Sequence, residues 1–156
     1  MRINSALDMQ GRLTIVVKSQ DGGVLKSISA NNSIVLSGRD LVAKQFINES
    51  IDPISHIAVG TGNTPVDATN NKQLESELFR KEINTIDPTT HLVTTPEDRK
   101  KVTINTELDF DEGNGPLTEA GLFNSNSGGV MYNRVVFPPV NKTSDFKLTL
   151  LWEIIF

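Results

Sequence analysis

The stretch Phe146–Phe156, FKLTLLWEIIF, constrains the fold more than any other. Alternate positions Phe146, Leu148, Leu150, Trp152, Ile154 and Phe156 are all apolar. The intervening Lys147, Thr149, Leu151, Glu153 and Ile155 are mixed. A period of two is the signature of a β-strand with one face turned to a core. Burying side chains of this size stabilises by about 1.5–3 kcal/mol each, as an upper estimate. The first face is therefore expected to be core along its length, which removes Trp152 as a platform for a ligand. The second face leaves two readings open. Leu151 and Ile155 either pack inside a central strand or form a possible subunit interface, since exposed apolar faces commonly mark contacts.

The rest of the chain also reads mainly as β. LTIVVKS (Leu13 to Ser19) and VLKSISA flank Asp21-Gly22-Gly23, the pattern of a β-hairpin. Leu36, Leu41, Val42 and Phe46 fall near helical spacing, with Ser37 as an expected N-cap, so a helix is expected from Gly38 to about Asn48. HIAVGTG is a short strand entering a glycine turn. Lys72–Lys81 is read as a short helix with Leu74 and Leu78 on one face, or else as a broken turn feeding a strand from Lys81 onward. Leu92-Val93 is a strand. KVTINTELDF alternates, with Val102, Ile104, Leu108 and Phe110 on one side and Thr106 among them. LTEAGLF follows the DEGNGP turn, and VMYNRVVF follows NSNSGG and is expected to stop at Pro138-Pro139. The polar segments Asn63–Asn71, Pro96–Lys101 and Asp111–Pro116 are expected at the surface. Together these give a mainly β chain, an antiparallel β-sandwich or open barrel with one or two short helices. The 156 residues read as a single β-rich domain, a hairpin plus helix over 1–50 and a β region over 54–156.

Composition narrows the chemistry. Fifteen basic and nineteen acidic residues give a net charge of −4, which argues against a nucleic-acid-binding surface. There is no cysteine, which excludes disulfides, thiolate zinc sites and thiol nucleophiles. No apolar run is long enough to span a membrane as a helix, and MRINSALDMQGRL has no apolar signal segment. A soluble chain outside the standard secretory route is expected.

Sites for chemistry are sparse. Gly60-Thr61-Gly62 starts like a phosphate-cradling loop but continues to Asn63-Thr64-Pro65, not to a Gly-Lys-Ser/Thr sequence, so a turn is expected. Asp109, Asp111, Glu112 and Glu119 hint at calcium, but Gly113 stands where a ligand belongs, so a solvated turn is expected. His56 and His91 have no neighbours at metal-ligand spacing, and no Gly-x-Ser-x-Gly elbow occurs. No catalytic residue, cofactor or metal site is therefore assigned. Glu119 stands out, because it sits inside the apolar LTEAGLF. A carboxylate among apolar residues is usually paired when buried, and Arg80 or Arg134 is the expected partner in a structural ion pair.

One set of residues resembles a known family. Ile54, Ile57, Gly60 and Gly62 match an "Ile-x-x-Ile-x-x-Gly-x-Gly" pattern, Leu74, Glu77 and Arg80 a "Leu-x-x-Glu-x-x-Arg" pattern, and Glu119, Gly121, Leu122 and Phe123 a "Glu-x-Gly-Leu-Phe" pattern. In this order they resemble bacteriophage tail-fibre, collar and baseplate-type structural proteins, also found in contractile injection particles. The matching region runs from about Ile54 to Phe156, without the long repetitive shaft or receptor-binding tip of a whole fibre. The resemblance implies a non-enzymatic collar, baseplate or fibre-attachment subunit. Its partners would be other tail proteins and copies of itself, with no nucleic acid, membrane or small-molecule substrate. It also implies assembly in bacterial cytoplasm and residence in the virion tail. The alternatives are a receptor- or glycan-binding module, for which Tyr132 is the remaining aromatic, and a capsid or head decoration protein. A glycan-cleaving hydrolase would need two carboxylates at a set separation, and no such pair stands out.

Overall fold

The structure is a computed structural model that describes residues 8–47 and 49–156. Its elements in chain order are β1 (Gln10–Lys18), β2 (Val24–Ile34), α1 (Leu36–Phe46), β3 (His56–Gly60), β4 (Glu77–Glu82) and β5 (Leu92–Thr94). β6 (Lys100–Leu108), β7 (Gly115–Phe123), β8 (Met131–Lys142) and β9 (Lys147–Ile155) follow. The nine strands form one antiparallel sheet in the order β4-β3-β7-β8-β2-β1-β9-β6-β5, curled into a half-barrel. This is the open-barrel form of the expected fold.

The strand nearest the chain's last residue lies inside the sheet. β9 is hydrogen-bonded to β1 on one side and β6 on the other, with Trp152 level with Leu13 and Ile104. Leu148, Leu150, Trp152 and Ile154 are buried. The ends of that face depart from expectation: Phe146 is half-buried and Phe156 is 43% exposed. Phe146 precedes the ladder, and Phe156, although it still exchanges backbone hydrogen bonds with Lys100 of β6 at 2.8 and 3.3 Å, lies past the last pairing with β1 at Ile155.

The curl originates in β2. Up to Asn32 it pairs with β1, and only Ser33 and Ile34 pair with β8. One strand thus joins two leaves, and their inner faces meet in a single core. Leu13, Ile15, Ile104, Leu150 and Trp152 come from one leaf, and Ile57, Val59, Leu122 and Val135 from the other. The far ends of the sheet approach each other. Asn84 N–H donates to the Asn105 carbonyl at 2.8 Å, Thr106 Oγ1 to the Glu82 carbonyl at 3.0 Å, and Lys81 Nζ to the Glu107 carbonyl at 2.8 Å. Thr106 interrupts the apolar face of β6 because its hydroxyl serves this seam.

Three local expectations are corrected. The Lys72–Lys81 segment is not helical. It bends to Ser76 and becomes β4 at Glu77, four residues before the alternative start. Glu75 and Ser76 spend their N–H groups on the Glu119 carboxylate, so neither can bond back along a helix. Leu74 is buried and Leu78 is exposed, so the two do not share an environment. Ser37 is not the N-cap. α1 starts at Leu36 behind Val35, with no side-chain cap, and Ser37 Oγ donates to the Met131 carbonyl at 2.7 Å. The expected last helical residue, Asn48, lies outside the described residues. Finally, β8 does not stop at Pro138-Pro139 but runs on to Lys142. Both prolines are exposed, at a register irregularity against β7 between Leu117 and Glu119, beyond the short pairing with β2. Proline is tolerated where the ladder needs no N–H donor.

Candidate functional site

Three of the residues singled out in the sequence, Gly60, Gly62 and Glu119, meet in one polar knot beside β7. β7 is buried on both faces, one against the core and the other under the loop that links β3 to β4. Glu119 lies on the loop side and is fully buried. Its Oε1 accepts N–H bonds from Gly62 at 3.0 Å and Ser76 at 2.7 Å. Its Oε2 accepts the Glu75 N–H at 3.0 Å and Arg134 Nε at 2.9 Å. Four donors fill the four strong acceptor positions of a carboxylate. Thr118 Oγ1 donates to the Gly62 carbonyl at 2.7 Å and pins the same turn.

Glycine at 60 and 62 follows from this approach. A Cβ at Gly60 would stand 2.3 Å from the Ser76 carbonyl oxygen and 2.7 Å from Glu119 Oε1. A Cβ at Gly62 would stand 2.6 Å from the same Oε1. Any side chain there would push the carboxylate off its donors.

Arg134, on β8, spans the knot. Beyond Glu119, its Nη1 donates to the Thr64 carbonyl at 3.0 Å and Asn71 Oδ1 at 3.2 Å. Its Nη2 stands 3.5 Å from Glu75 Oε2. Glu75 also accepts the Thr64 N–H and hydroxyl at 2.9 Å each, and these bonds hold its carboxyl below the usual range. Of the two candidate partners for Glu119, the structure brings in Arg134 and not Arg80. Arg80 forks onto Glu77 (3.0 and 2.6 Å) and donates to the Ser125 and Gly128 carbonyls at 2.9 Å each. Its guanidinium lies 3.8 Å from the centre of the Phe123 ring. Arg80 therefore ties β4 to the turn between β7 and β8.

No family model, curated protein or solved structure matches the chain.

The remaining sequence candidates fall apart in space. In the Gly60–Gly62 turn the amides that a phosphate would need are taken: Gly62 N–H serves Glu119, and Thr61 N–H serves the Ser76 carbonyl. The acidic residues of the calcium reading separate as well. Glu119 is in the knot, Glu112 pairs with Lys81 at 2.6 Å and Asp109 with Lys147 at 3.4 Å. Lys142 sits at the centre of that turn, buried, with Nζ donating to the Phe110 carbonyl (3.2 Å), Asn114 Oδ1 (2.7 Å) and the Thr143 carbonyl (3.2 Å). Among the described residues no three His, Cys, Asp or Glu side chains cluster as metal ligands. His56 Nδ1 shares a hydrogen bond with Ser55 Oγ, and His91 Nδ1 accepts the Asp87 N–H in a local turn. Tyr132 is 3% exposed, so it offers no face for a sugar.

Sequence reasoning missed Glu75, Asn71 and Lys142. Nothing in their spacing marks them, since each meets partners that only the fold brings close. Leu151 and Ile155 lie half-buried on the outer face, Leu151 between Thr14 and Asn105 and Ile155 between Gln10 and Lys101. Among the described residues no helix is long and apolar enough to cross a membrane. An apolar mouth of about 210 Å³ opens at one end of the half-barrel, lined by Leu41, Ile54, Ile86, Tyr132, Ile154 and Phe156.

Proposed function

We propose that this chain is a structural subunit of a phage tail or related contractile particle, working through protein–protein interfaces with copies of itself and with other tail proteins. The observation that supports this reading is the saturation of Glu119. The residues most suggestive of a site spend their hydrogen-bonding capacity on holding the β3–β4 loop and the β7–β8 turn in place. A motif used up in this way serves the scaffold, and function is left to surfaces and edges. The burial of Trp152 and Tyr132 weighs against the glycan-binding alternative.

The test is the state of the chain in solution and in particles. Sedimentation velocity across a wide concentration range should show concentration-dependent oligomers, and quantitative mass spectrometry of purified particles should find the chain in repeated copies. A monomer that binds glycans and is absent from particles would overturn the reading.

A further inference from the structure

The sheet leaves one regular edge open. Lys26–Asn32 of β2 pair with Val17–Gly11 of β1, and only Ser33 and Ile34 have a partner on the other side. No described residue bonds to the free side of the Lys26–Asn32 backbone. Alternate residues of an unpaired strand point N–H and C=O groups outward, which is a template for another strand.

The other edges are blunted and this one is not. β8, where it parts from β2, carries Pro138 and Pro139. β5 has three residues, and β4 is bridged to β6 by the Glu82, Asn84 and Lys81 contacts. Protective devices of these kinds are what sheets use against edge-to-edge pairing. Lys26–Asn32 has no proline and a single charge. Its irregularity lies before it, between the Val17 and Lys18 pairings.

We infer that Lys26–Asn32 is the strand through which two copies of this chain join, in antiparallel pairing centred on Ser29. This rests on the assembly reading above and names its contact. The sequence of the edge is self-complementary in that register. Ile28 meets Ala30 of the second copy on the half-buried inner face, and Lys26 meets Asn32. Ser27 meets Asn31, and Ser29 meets its own counterpart on the exposed outer face. Apolar residues meet apolar ones, no like charges oppose each other, and all seven residues of the regular edge are paired. Centring on Ile28 instead runs the pairing into the irregularity at Leu25. A symmetric pair of this kind uses the same patch on both copies.

The absence of cysteine makes the register directly readable. Ser29→Cys should form a disulfide-linked dimer on mild oxidation. Ile28→Cys and Ala30→Cys should link to each other when mixed, more than either links to itself. A second arm uses charge. Ser29→Asp and Ser29→Lys each place like charges opposite one another and should each weaken self-association by up to about fivefold, with unchanged circular dichroism. An equimolar mixture should associate again. Oligomers that persist in both charge variants, with no disulfide-linked dimer from Ser29→Cys, would overturn the β2 contact and leave the assembly reading standing. A chain that stays monomeric at all concentrations and is missing from particles would overturn both.

Discussion

Glu119 Oε2 and Arg134 Nε lie 2.9 Å apart with both side chains closed off from solvent. The pair is not symmetric in its obligations. Glu119 also holds three backbone N–H groups from a loop that has no other strand to pair with, whereas Arg134 otherwise serves acceptors at the loop's edge.

That asymmetry predicts the order of two substitutions. Glu119→Gln keeps the shape but turns one acceptor into a donor and leaves the buried Arg134 cation with only the exposed Glu75 carboxylate, 3.5 Å away, as a charge partner. It should cost about 3–5 kcal/mol. Arg134→Met leaves a carboxylate still bonded by three N–H groups and should cost less, about 1–3 kcal/mol. Urea unfolding of the two variants checks the order. An equal loss, or a larger one for Arg134→Met, would mean that the backbone bonds contribute little.

Arg80→Lys should loosen one turn without unfolding the chain. Lysine cannot reproduce the fork on Glu77 and the stack on Phe123 while also reaching the Ser125 and Gly128 carbonyls. The expected loss is about 1–2 kcal/mol. Hydrogen exchange should quicken over residues 124–130 and hold steady in β9.

The sheet was legible where one strand alone carries the pattern. Period two in β6 and β9 depends only on which face meets the core, so Ile104, Leu108, Leu148, Leu150 and Trp152 were readable. Glu119 was legible as a buried carboxylate because its neighbours are apolar. What failed were local signals overridden by distant partners. Leu74 and Leu78 have helical spacing, but Glu119, more than forty residues away, claims the N–H groups that a helix needs. Ser37 looks like a cap, but the Met131 carbonyl is closer to hand. Pro138-Pro139 reads as a strand end unless it is known that β2 has already left that edge. The choice between Arg80 and Arg134 was of the same kind, because both arginines have carboxylates in reach and only the register of β7 on β8 assigns them.

Adjacent positions on β9 should respond oppositely to the same change. Leu150 is fully buried against the core, and Leu150→Lys should prevent folding at ordinary temperature, since it combines a lost apolar contact with an unpaired buried charge. Leu151 points the other way, between Thr14 and Asn105. Leu151→Lys should cost about 0.5 kcal/mol or less in the isolated chain, within the range of ordinary surface changes. If Leu151 is covered in the assembled particle, the same variant should fail to incorporate. Thermal melts read the first effect and copy number in particles the second. A Leu151→Lys chain that does not fold would place that face in the core.

Alkaline stability should be governed in part by Tyr132. Burial against the core pushes its hydroxyl up to about 12, from an ordinary value near 10, with Arg39 opposing the shift. The folded chain therefore keeps the phenol proton at a pH where the unfolded chain has lost it. By linkage, this contribution to stability is fully present below about pH 10 and is lost as pH rises towards 12. Tyr132 is the only tyrosine, so its ionisation can be followed directly by ultraviolet absorbance near 295 nm. The wild-type signal should rise together with loss of structure, not ahead of it. Tyr132→Phe removes the linkage at the cost of one hydroxyl that touches Met9 Sδ at 3.6 Å. Its stability should fall less steeply than wild type between about pH 10 and 12, measured by denaturant midpoints at each pH. A wild-type phenol that titrates near 10 in the folded state would show that this side chain is open to water.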